Sequence, residues 1–278
     1  MSRIGLKRYS VRDFGFEIIM IAIAAVFSFP IYILVVLSFK SPNDWASPLS
    51  LPFPPYLGNF SEAWEKAQLG AAISASVLVV VVALLVLVAM GACAAYFLAR
   101  ATRSISNLLY YLFLAGIVLP FQLALIPVYQ LMRDLSLLGT PWSLILLHCG
   151  VQLPLTIFLY TGFIRSIPRS YEEAARIDGA NQLQVFLFVV LPMLRPVTGT
   201  VLMIAGVFIW NDFLTALLLL FGSEWQTVPV QIYSFVDIYI TDWGVVFASL
   251  LIGISPIMIV FLLLQKHMIR GFASGVKG

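Results

Sequence analysis

The chain has 278 residues, of which 61% are hydrophobic and 10% charged, and its mean hydropathy is +1.00. This composition excludes an ordinary soluble domain. The net charge of +3 comes without the clustered basic and aromatic residues of a nucleic-acid surface, so we expect membrane lipid and no nucleic acid around the chain.

Six stretches are long and apolar enough to cross a bilayer, since a helical span needs about 20 apolar residues. They cover residues 14–39, 71–99, 108–131, 142–164, 196–220 and 245–265. We predict an all-α integral membrane protein with six transmembrane helices in a single domain over residues 1–278. Prolines inside these stretches predict kinked helices, at Pro120, Pro127, Pro154 and Pro256.

The basic residues predict the orientation. With the N-terminus in the cytoplasm, 13 of the 16 lysines and arginines fall on the cytoplasmic side, as the positive-inside rule favours. The three that fall outside are Lys40, Lys66 and Arg133. Because an odd number of spans would place the basic C-terminal tail outside, both termini are predicted to be cytoplasmic.

Two longer loops are predicted on the external side. Residues 40–70 contain five prolines, which suggest an extended strap with a short helix over residues 61–66. Residues 222–244 are aromatic and acidic. Their side chains either form an interfacial belt at headgroup depth or contact an external protein, and the candidates are Trp225, Tyr233, Asp237 and Tyr239.

Polar residues inside spans are costly and usually face a protein interior or a pathway. The candidate pathway-lining residues are Gln122, Gln152, Asn211 and Asp212. A carboxylate such as Asp212 costs about 2.5–3.5 kcal/mol at mid-membrane on insertion scales. An alternative is that Asp212 lies near the outer interface and orients helix packing. His148 has no Cys, Asp or Glu at metal-ligand spacing, so we predict no metal site.

The segment 165–195 is the largest predicted cytoplasmic loop and contains a helix-forming piece over residues 170–178. Ser170 and Glu173 have the spacing of a capping box, and Glu172 joins Glu173 in the first turn, where the helix dipole favours negative charge. Two small residues follow, Ala174 and Ala175, which let a partner approach the backbone closely. One alternative is an amphipathic connector lying on the membrane surface.

The end of this piece also has a local explanation, because Gly179 after Asp178 can adopt the backbone conformation that ends a short helix. The spacing of Glu173, Ala174, Ala175 and Gly179, ending at Leu191 and Pro192, resembles the EAA loop of binding-protein-dependent ABC importers. Val189 stands where that pattern prefers isoleucine.

Further features are similar to carbohydrate importer permeases, and most of all to the smaller permease of maltose-type transporters. These features are Asn59-Phe60, the spacing of Pro120 and Pro127, Trp210-Asn211-Asp212, and the endings Arg270-Gly271 and Gly275 to Gly278. The resemblance implies a multi-pass subunit of a bacterial or archaeal cytoplasmic membrane. It also implies three kinds of partner: a second homologous permease, two ABC ATPase subunits and an extracytoplasmic substrate-binding protein.

In that family the EAA loop is the coupling helix that docks on the ATPase. The resemblance therefore assigns coupling to Ser170, Glu172, Glu173, Ala174, Ala175, Asp178 and Gly179. No lysine occurs in a Gly-x-x-x-x-Gly-Lys-Ser/Thr context, so the chain is not expected to hydrolyse ATP or to carry a cofactor. The alternative function is an ion-coupled secondary carrier or channel, for which Asp212 is the serious relay candidate.

Overall fold

The computed structural model describes residues 11–44, 47–101, 104–234 and 242–275, and only the backbone of residues 11, 12 and 264–275. All regular structure in these ranges is helical, which confirms the all-α prediction. The α-helices are α1 Val11–Ser38, α2 Gly58–Lys66, α3 Leu69–Arg100, α4 Ser104–Val118, α5 Leu125–Asp134, α6 Pro141–Ser166, α7 Ser170–Ile177, α8 Gln182–Gln184, α9 Leu191–Met193, α10 Arg195–Trp210, α11 Leu214–Leu220, α12 Val228–Tyr233 and α13 Trp243–Gly275. A 3₁₀ turn covers Phe121–Ala124, and a π-helical segment covers Val185–Val190.

The chain divides into two compact units. The first comprises Met1–Ala67 and Phe235–Ile252, and the second Gln68–Ser234 and Gly253–Gly278. In the first unit, the side-chain amide of Asn59 donates to the carbonyl oxygens of Ser38 (3.0 Å) and Lys40 (2.7 Å), which satisfies acceptors at the end of α1. The strap after α1 ends in α2, which begins three residues earlier than the short helix predicted for it.

The second unit is built around the long pair α3 and α6. Their shared core contains fully buried aliphatic side chains, among them Val79, Leu87 and Leu144. Gly91 allows the two helices to approach closely, because a Cβ at this position would lie 2.4 Å from Cγ2 of Thr156. Small residues at helix contacts are typical of packing between membrane-spanning helices.

Among the described residues, four helical stretches are long and apolar enough to span a membrane, namely Asp13–Ser38, Leu69–Arg100, Pro141–Ser166 and Trp243–Leu263. Two further pairs qualify only if each bent pair counts as one span. Ser104–Val118 and Phe121–Asp134 meet at 92°, and Gln182–Met193 and Arg195–Trp210 at 70°. The helix count is therefore compatible with six crossings, and six remains a prediction.

The predicted third and fifth spans are not single helices. Residues 108–131 break at Pro120, where a 3₁₀ turn replaces the helix, whereas Pro127 lies in the first turn of α5 and removes no helical hydrogen bond there. Residues 196–220 break after Trp210. The side-chain amide of Asn211 donates to the oxygen of Val207, and the carboxylate of Asp212 accepts from the amide of Thr215, so local side-chain bonds replace helical ones.

Candidate functional site

The helix predicted over residues 170–178 is present as α7, Ser170–Ile177, but its predicted capping box is wrong. Arg169 is the N-cap and already has helical dihedral angles, so Ser170 lies inside the helix and no side chain caps its start. A capping box forms instead at the start of α8. Asn181 Oδ1 accepts from the amide of Gln184 (2.9 Å), and Gln184 Oε1 accepts from the amide of Asn181 (2.8 Å).

The end of α7 follows the sequence prediction. Gly179 has a φ of +88°, the left-handed conformation that glycine adopts without penalty. Its amide donates to the oxygen of Arg176 (3.1 Å), and the amide of Ala180 donates to the oxygen of Ala175 (2.9 Å). These two bonds form a Schellman motif, which satisfies the last carbonyl groups of the helix and turns the chain sharply.

The two faces of α7 differ in exposure. Glu173, Ala174, Asp178 and Gly179 are exposed, and so is Ile177, which keeps 86% of its surface accessible. We call these five residues the exposed face of α7. An exposed isoleucine next to an alanine on a short helix offers apolar surface that another protein can cover.

The opposite face of α7 is turned toward the protein. Glu172 retains only 3% of its surface, and Ala175 is half-buried against a cluster of buried side chains from α3, α6 and the π-helical segment. Glu172 was grouped with the docking residues from sequence. The structure instead places its carboxylate inside the subunit, so that Glu173 is the acidic residue of the first turn that remains available to a partner.

Two residues of α3 hold the buried carboxylate of Glu172. Arg100 Nε donates to Glu172 Oε1 (2.6 Å), and Tyr96 Oη donates to Glu172 Oε2 (2.9 Å). Arg100 Nη2 also donates to the oxygen of Ile167 (3.0 Å), the C-cap of α6. Sequence reasoning did not single out Tyr96 or Arg100. Their spacing of four in the last turns of α3 was the available signal, because it places both on one face.

The four candidate pathway residues are not brought together as one site. Gln152 is buried on α6 and lines an apolar groove of about 930 Å³, together with residues of α4, α5 and α10. Gln122 is exposed on the 3₁₀ turn and does not line that groove, although its neighbours Phe121 and Leu123 do. Asn211 is exposed at the break after α10.

Asp212 finds its partners inside the subunit. Its carboxylate accepts from the amide of Thr215 (3.3 Å) and from the hydroxyl of the same residue. His148 Nε2 on α6 lies 3.4 Å from Asp212 Oδ2, with 2% and 10% of the two side chains exposed. We call Asp212, Thr215 and His148 the aspartate–histidine site. Sequence reasoning considered His148 only as a metal ligand and missed this pairing, and a pathway role for Asp212 stays a prediction.

Of the candidate receptor contacts, Trp225 and Tyr233 are exposed, with 42% and 58% of their surfaces accessible. The ring of Tyr233 also packs against that of Phe213, with the ring centroids 4.9 Å apart. Asp237 and Tyr239 lie outside the described residues. Exposure at this end of the second unit is compatible with either the interfacial or the receptor interpretation of the two aromatic residues.

Known proteins resemble this chain over most of its length. The permease MelC for melibiose, raffinose and stachyose import, from Bacillus subtilis (strain 168), is 37% identical over 258 residues, which are 92% of this chain and 94% of that protein. The permease MsmG of a multiple sugar-binding transport system, from Streptococcus mutans, is 37% identical over 88% of this chain and 90% of that protein.

The fold also matches a solved structure. A chain of a bacterial ABC transporter involved in the import of the acidic polysaccharide alginate superimposes with a TM-score of 0.80 and 23% identity, covering 94% of this chain and 99% of that one. The profile of the family described as "Binding-protein-dependent transport system inner membrane component" matches residues 88–274. The chain therefore belongs to this family of ABC importer permeases, in its carbohydrate branch.

Proposed function

We propose that this chain is a membrane-spanning subunit of an ATP-driven importer for a sugar or oligosaccharide, and that the exposed face of α7 docks on an ATPase subunit. Family membership carries the importer assignment. The geometry of α7 carries the docking assignment, since Glu173, Ala174 and Ile177 lie on an exposed surface of a helix that is anchored internally by Glu172.

The proposed topology has six spans with both termini in the cytoplasm, each of the two bent helix pairs counting as one crossing. This orientation is supported by the basic residues, because it places 13 of them on the cytoplasmic side and 3 on the external side. It places α7 in the cytoplasm, where ATP is available. It also places Trp225 and Tyr233 outside, where a substrate-binding protein would approach.

The proposed partners are a second homologous permease, two ATPase subunits and an extracytoplasmic binding protein. A bacterial alginate ABC transporter has been solved in complex with an alginate pentasaccharide-bound periplasmic protein, and one of its chains resembles this chain with a TM-score of 0.68. Relatives named for melibiose, raffinose and stachyose import support a sugar or oligosaccharide as substrate.

The proposed mechanism is mechanical. Closure of two ATPase subunits around ATP displaces the docked α7, and the helices attached to α7 follow it from an inward-facing to an outward-facing packing. A conformational change of this kind requires one element whose position both sites bias, and α7 with its internal anchors is that element. Glu173 contributes charge to the contact, Ala174 permits close approach and Gly179 sets the turn.

The docking proposal is tested with the complex isolated from its own membrane through an affinity tag on this chain. The double variant Glu173→Lys, Gly179→Leu reverses charge on the exposed face and forces a bulky residue into a left-handed backbone conformation. We expect at least about tenfold less ATPase to co-purify, the effect of losing about 1.4 kcal/mol of binding free energy.

The matched control is Glu65→Lys, the same charge reversal at an exposed position of α2 on the predicted external side. It should leave the co-purified ATPase and its hydrolysis rate unchanged. A double variant that retains the full amount of ATPase would contradict docking on α7. Failure of the unaltered chain to bring down any ATPase would contradict the proposed function as a whole.

A further inference from the structure

We propose that Tyr96, Arg100, Glu172, Arg176 and Gln182 form a polar ring whose task is to transmit displacement of α7 to α3 and α6, so that these are positioning residues for coupling. This inference rests on the proposed function and adds to it the internal route by which the docked helix moves the membrane-spanning helices. Glu172 and Tyr96 of this ring are buried, whereas Arg176 and Gln182 are exposed at its edge.

Four of these side chains close a ring, and Arg100 is attached to it through Glu172. The carboxylate of Glu172 binds Arg100 and Tyr96. The hydroxyl of Tyr96 also accepts from Gln182 Nε2 (2.8 Å). Gln182 Oε1 in turn accepts from Arg176 Nη2 (2.9 Å). Arg176 Nη2 lies 3.8 Å from Glu172 Oε2, which completes the ring. Every member is held from two sides, so no single side chain can rotate away without breaking a charged or buried contact.

The ring joins elements that the chain itself does not connect. Glu172 and Arg100 are 72 residues apart, and Tyr96 and Gln182 are 86 apart. By contrast, α6 and α7 are separated only by residues 167–169, so the backbone alone can carry motion between them. Without the ring, α3 would receive the movement of α7 only through apolar packing, which resists sliding less than directional bonds do.

Arg100 is the centre of this arrangement. It is the last residue of α3, and its guanidinium binds the first turn of α7 through Nε and the C-cap carbonyl of α6 through Nη2. The cation also complements the negative end of the α6 dipole. A planar guanidinium with fixed donor directions therefore sets the angle among three helices, which an ammonium group cannot do.

The burial of the carboxylate distinguishes this ring from an ordinary surface ion pair. Side-chain exposure is 4% for Glu172 and 13% for Arg100, so water cannot readily replace either partner when the helices are pulled. An exposed pair exchanges its partners with solvent at little cost, whereas separating a buried pair exposes an uncompensated charge to an apolar environment. The three helices are accordingly expected to move as one body.

The test uses the isolated complex and a chain with Cys93→Ser and Cys149→Ala. Spin labels on Phe97→Cys in α3 and Tyr171→Cys in α7, both exposed positions, report the distance between the two helices. A maleimide probe on Asn211→Cys reports the ATP-dependent change in the membrane region. Each quantity is measured without nucleotide and after trapping with ATP and vanadate.

The decisive variant is Glu172→Gln, which removes the charge and leaves the exposed face of α7 intact. In the unaltered ring we expect one narrow spin-label distance that is the same in both nucleotide states. In the variant we expect normal ATPase co-purification, a broadened or nucleotide-dependent distance, and an ATP-dependent change in maleimide reactivity reduced about tenfold, within the usual range of coupling between sites. Glu65→Gln, an exposed glutamate on α2, is the matched control.

Other outcomes also decide whether the polar ring couples α7 to the membrane-spanning helices. An unchanged maleimide response in Glu172→Gln overturns the proposal, as does a distance in the unaltered ring that already varies with nucleotide. If the Glu172→Gln complex does not retain its ATPase, the Tyr96→Phe variant is used instead, because it deletes the hydroxyl but keeps the ion pair between Arg100 and Glu172. A normal maleimide response in Tyr96→Phe then overturns the proposal. Absence of ATPase from the unaltered complex contradicts the proposed function instead, and so the two failures are distinguishable.

Discussion

Two acidic residues of the second unit, the buried Glu172 and the partly buried Asp212, are satisfied in different ways. Glu172 lies in a closed ring with a hydrogen bond or ion pair on every side, whereas Asp212 in the aspartate–histidine site binds Thr215 and faces a histidine whose ring nitrogens make no hydrogen bond within the described residues. A saturated network specifies one geometry, and an incompletely satisfied one leaves its members free to rearrange. The comparison indicates a rigid arrangement around α7 and a more adaptable site at the break between α10 and α11.

Removing Arg100, the cation closest to the buried carboxylate of Glu172, should give the largest effect. In Arg100→Met the carboxylate of Glu172 stays buried without its closest positive partner, which typically costs about 3–5 kcal/mol. The free energy of unfolding of the chain in mixed micelles, measured by denaturant titration, should fall by this amount.

The control for that substitution is Arg133→Met, because the pair that Arg133 forms with Asp134 is exposed, at 60% and 65% of the two side chains. Exposed pairs contribute about 0–1 kcal/mol, so the control should unfold almost as the unaltered chain does. Equal losses in the two variants would mean that burial does not distinguish the ring from a surface pair.

An intermediate effect is expected at the aspartate–histidine site. Asp212→Ala deletes the acceptor of both the amide and the hydroxyl of Thr215, and leaving such groups unpaired costs about 1–3 kcal/mol. Asp212→Asn retains an acceptor oxygen, so its free energy of unfolding should fall less in the same titration. ATPase co-purification should be unchanged in both, and a loss of ATPase from Asp212→Ala would show that this site and α7 are not independent.

The smallest effect is expected for His148→Leu. His148 is 1% exposed, and within the described residues its ring nitrogens make no hydrogen bond, so an apolar side chain of similar volume deletes only the 3.4 Å contact between Nε2 and Asp212 Oδ2. We expect a change within about 1 kcal/mol in the free energy of unfolding. A loss as large as that of Arg100→Met would show that the contact between His148 and Asp212 is a strong one, and the contrast between the two sites would disappear.

Features that depend on neighbouring residues were predictable from the sequence. The apolar stretches located the four long helices of the described residues, because the bilayer demands a fixed length of apolar chain. Gly179 marked the end of α7, because a left-handed backbone position is a local requirement. The family could also be identified, because the spacing from Glu173 to Pro192 is a property of the chain alone.

Other features depended on contacts that the sequence does not display. Ser170 and Glu173 have the spacing of a capping box, yet the helical dihedral angles of Arg169 moved the helix start by one residue and left that box unused. Pro120 predicted a kinked helix. Packing around the 3₁₀ turn instead produced a bend of 92° between Ser104–Val118 and Phe121–Asp134.

The neighbouring carboxylates of Glu172 and Glu173 show most clearly what local sequence cannot predict. Both belong to the same helical turn, and local propensity treats them alike. Arg100 and Tyr96 of α3 bind the carboxylate of Glu172 and hold it inside the subunit, whereas Glu173 stays exposed. The sequence alone determined that this segment is a charged helix between spans. The tertiary structure decided which charge anchors it and which stays exposed, because that choice depends on residues more than 70 positions away.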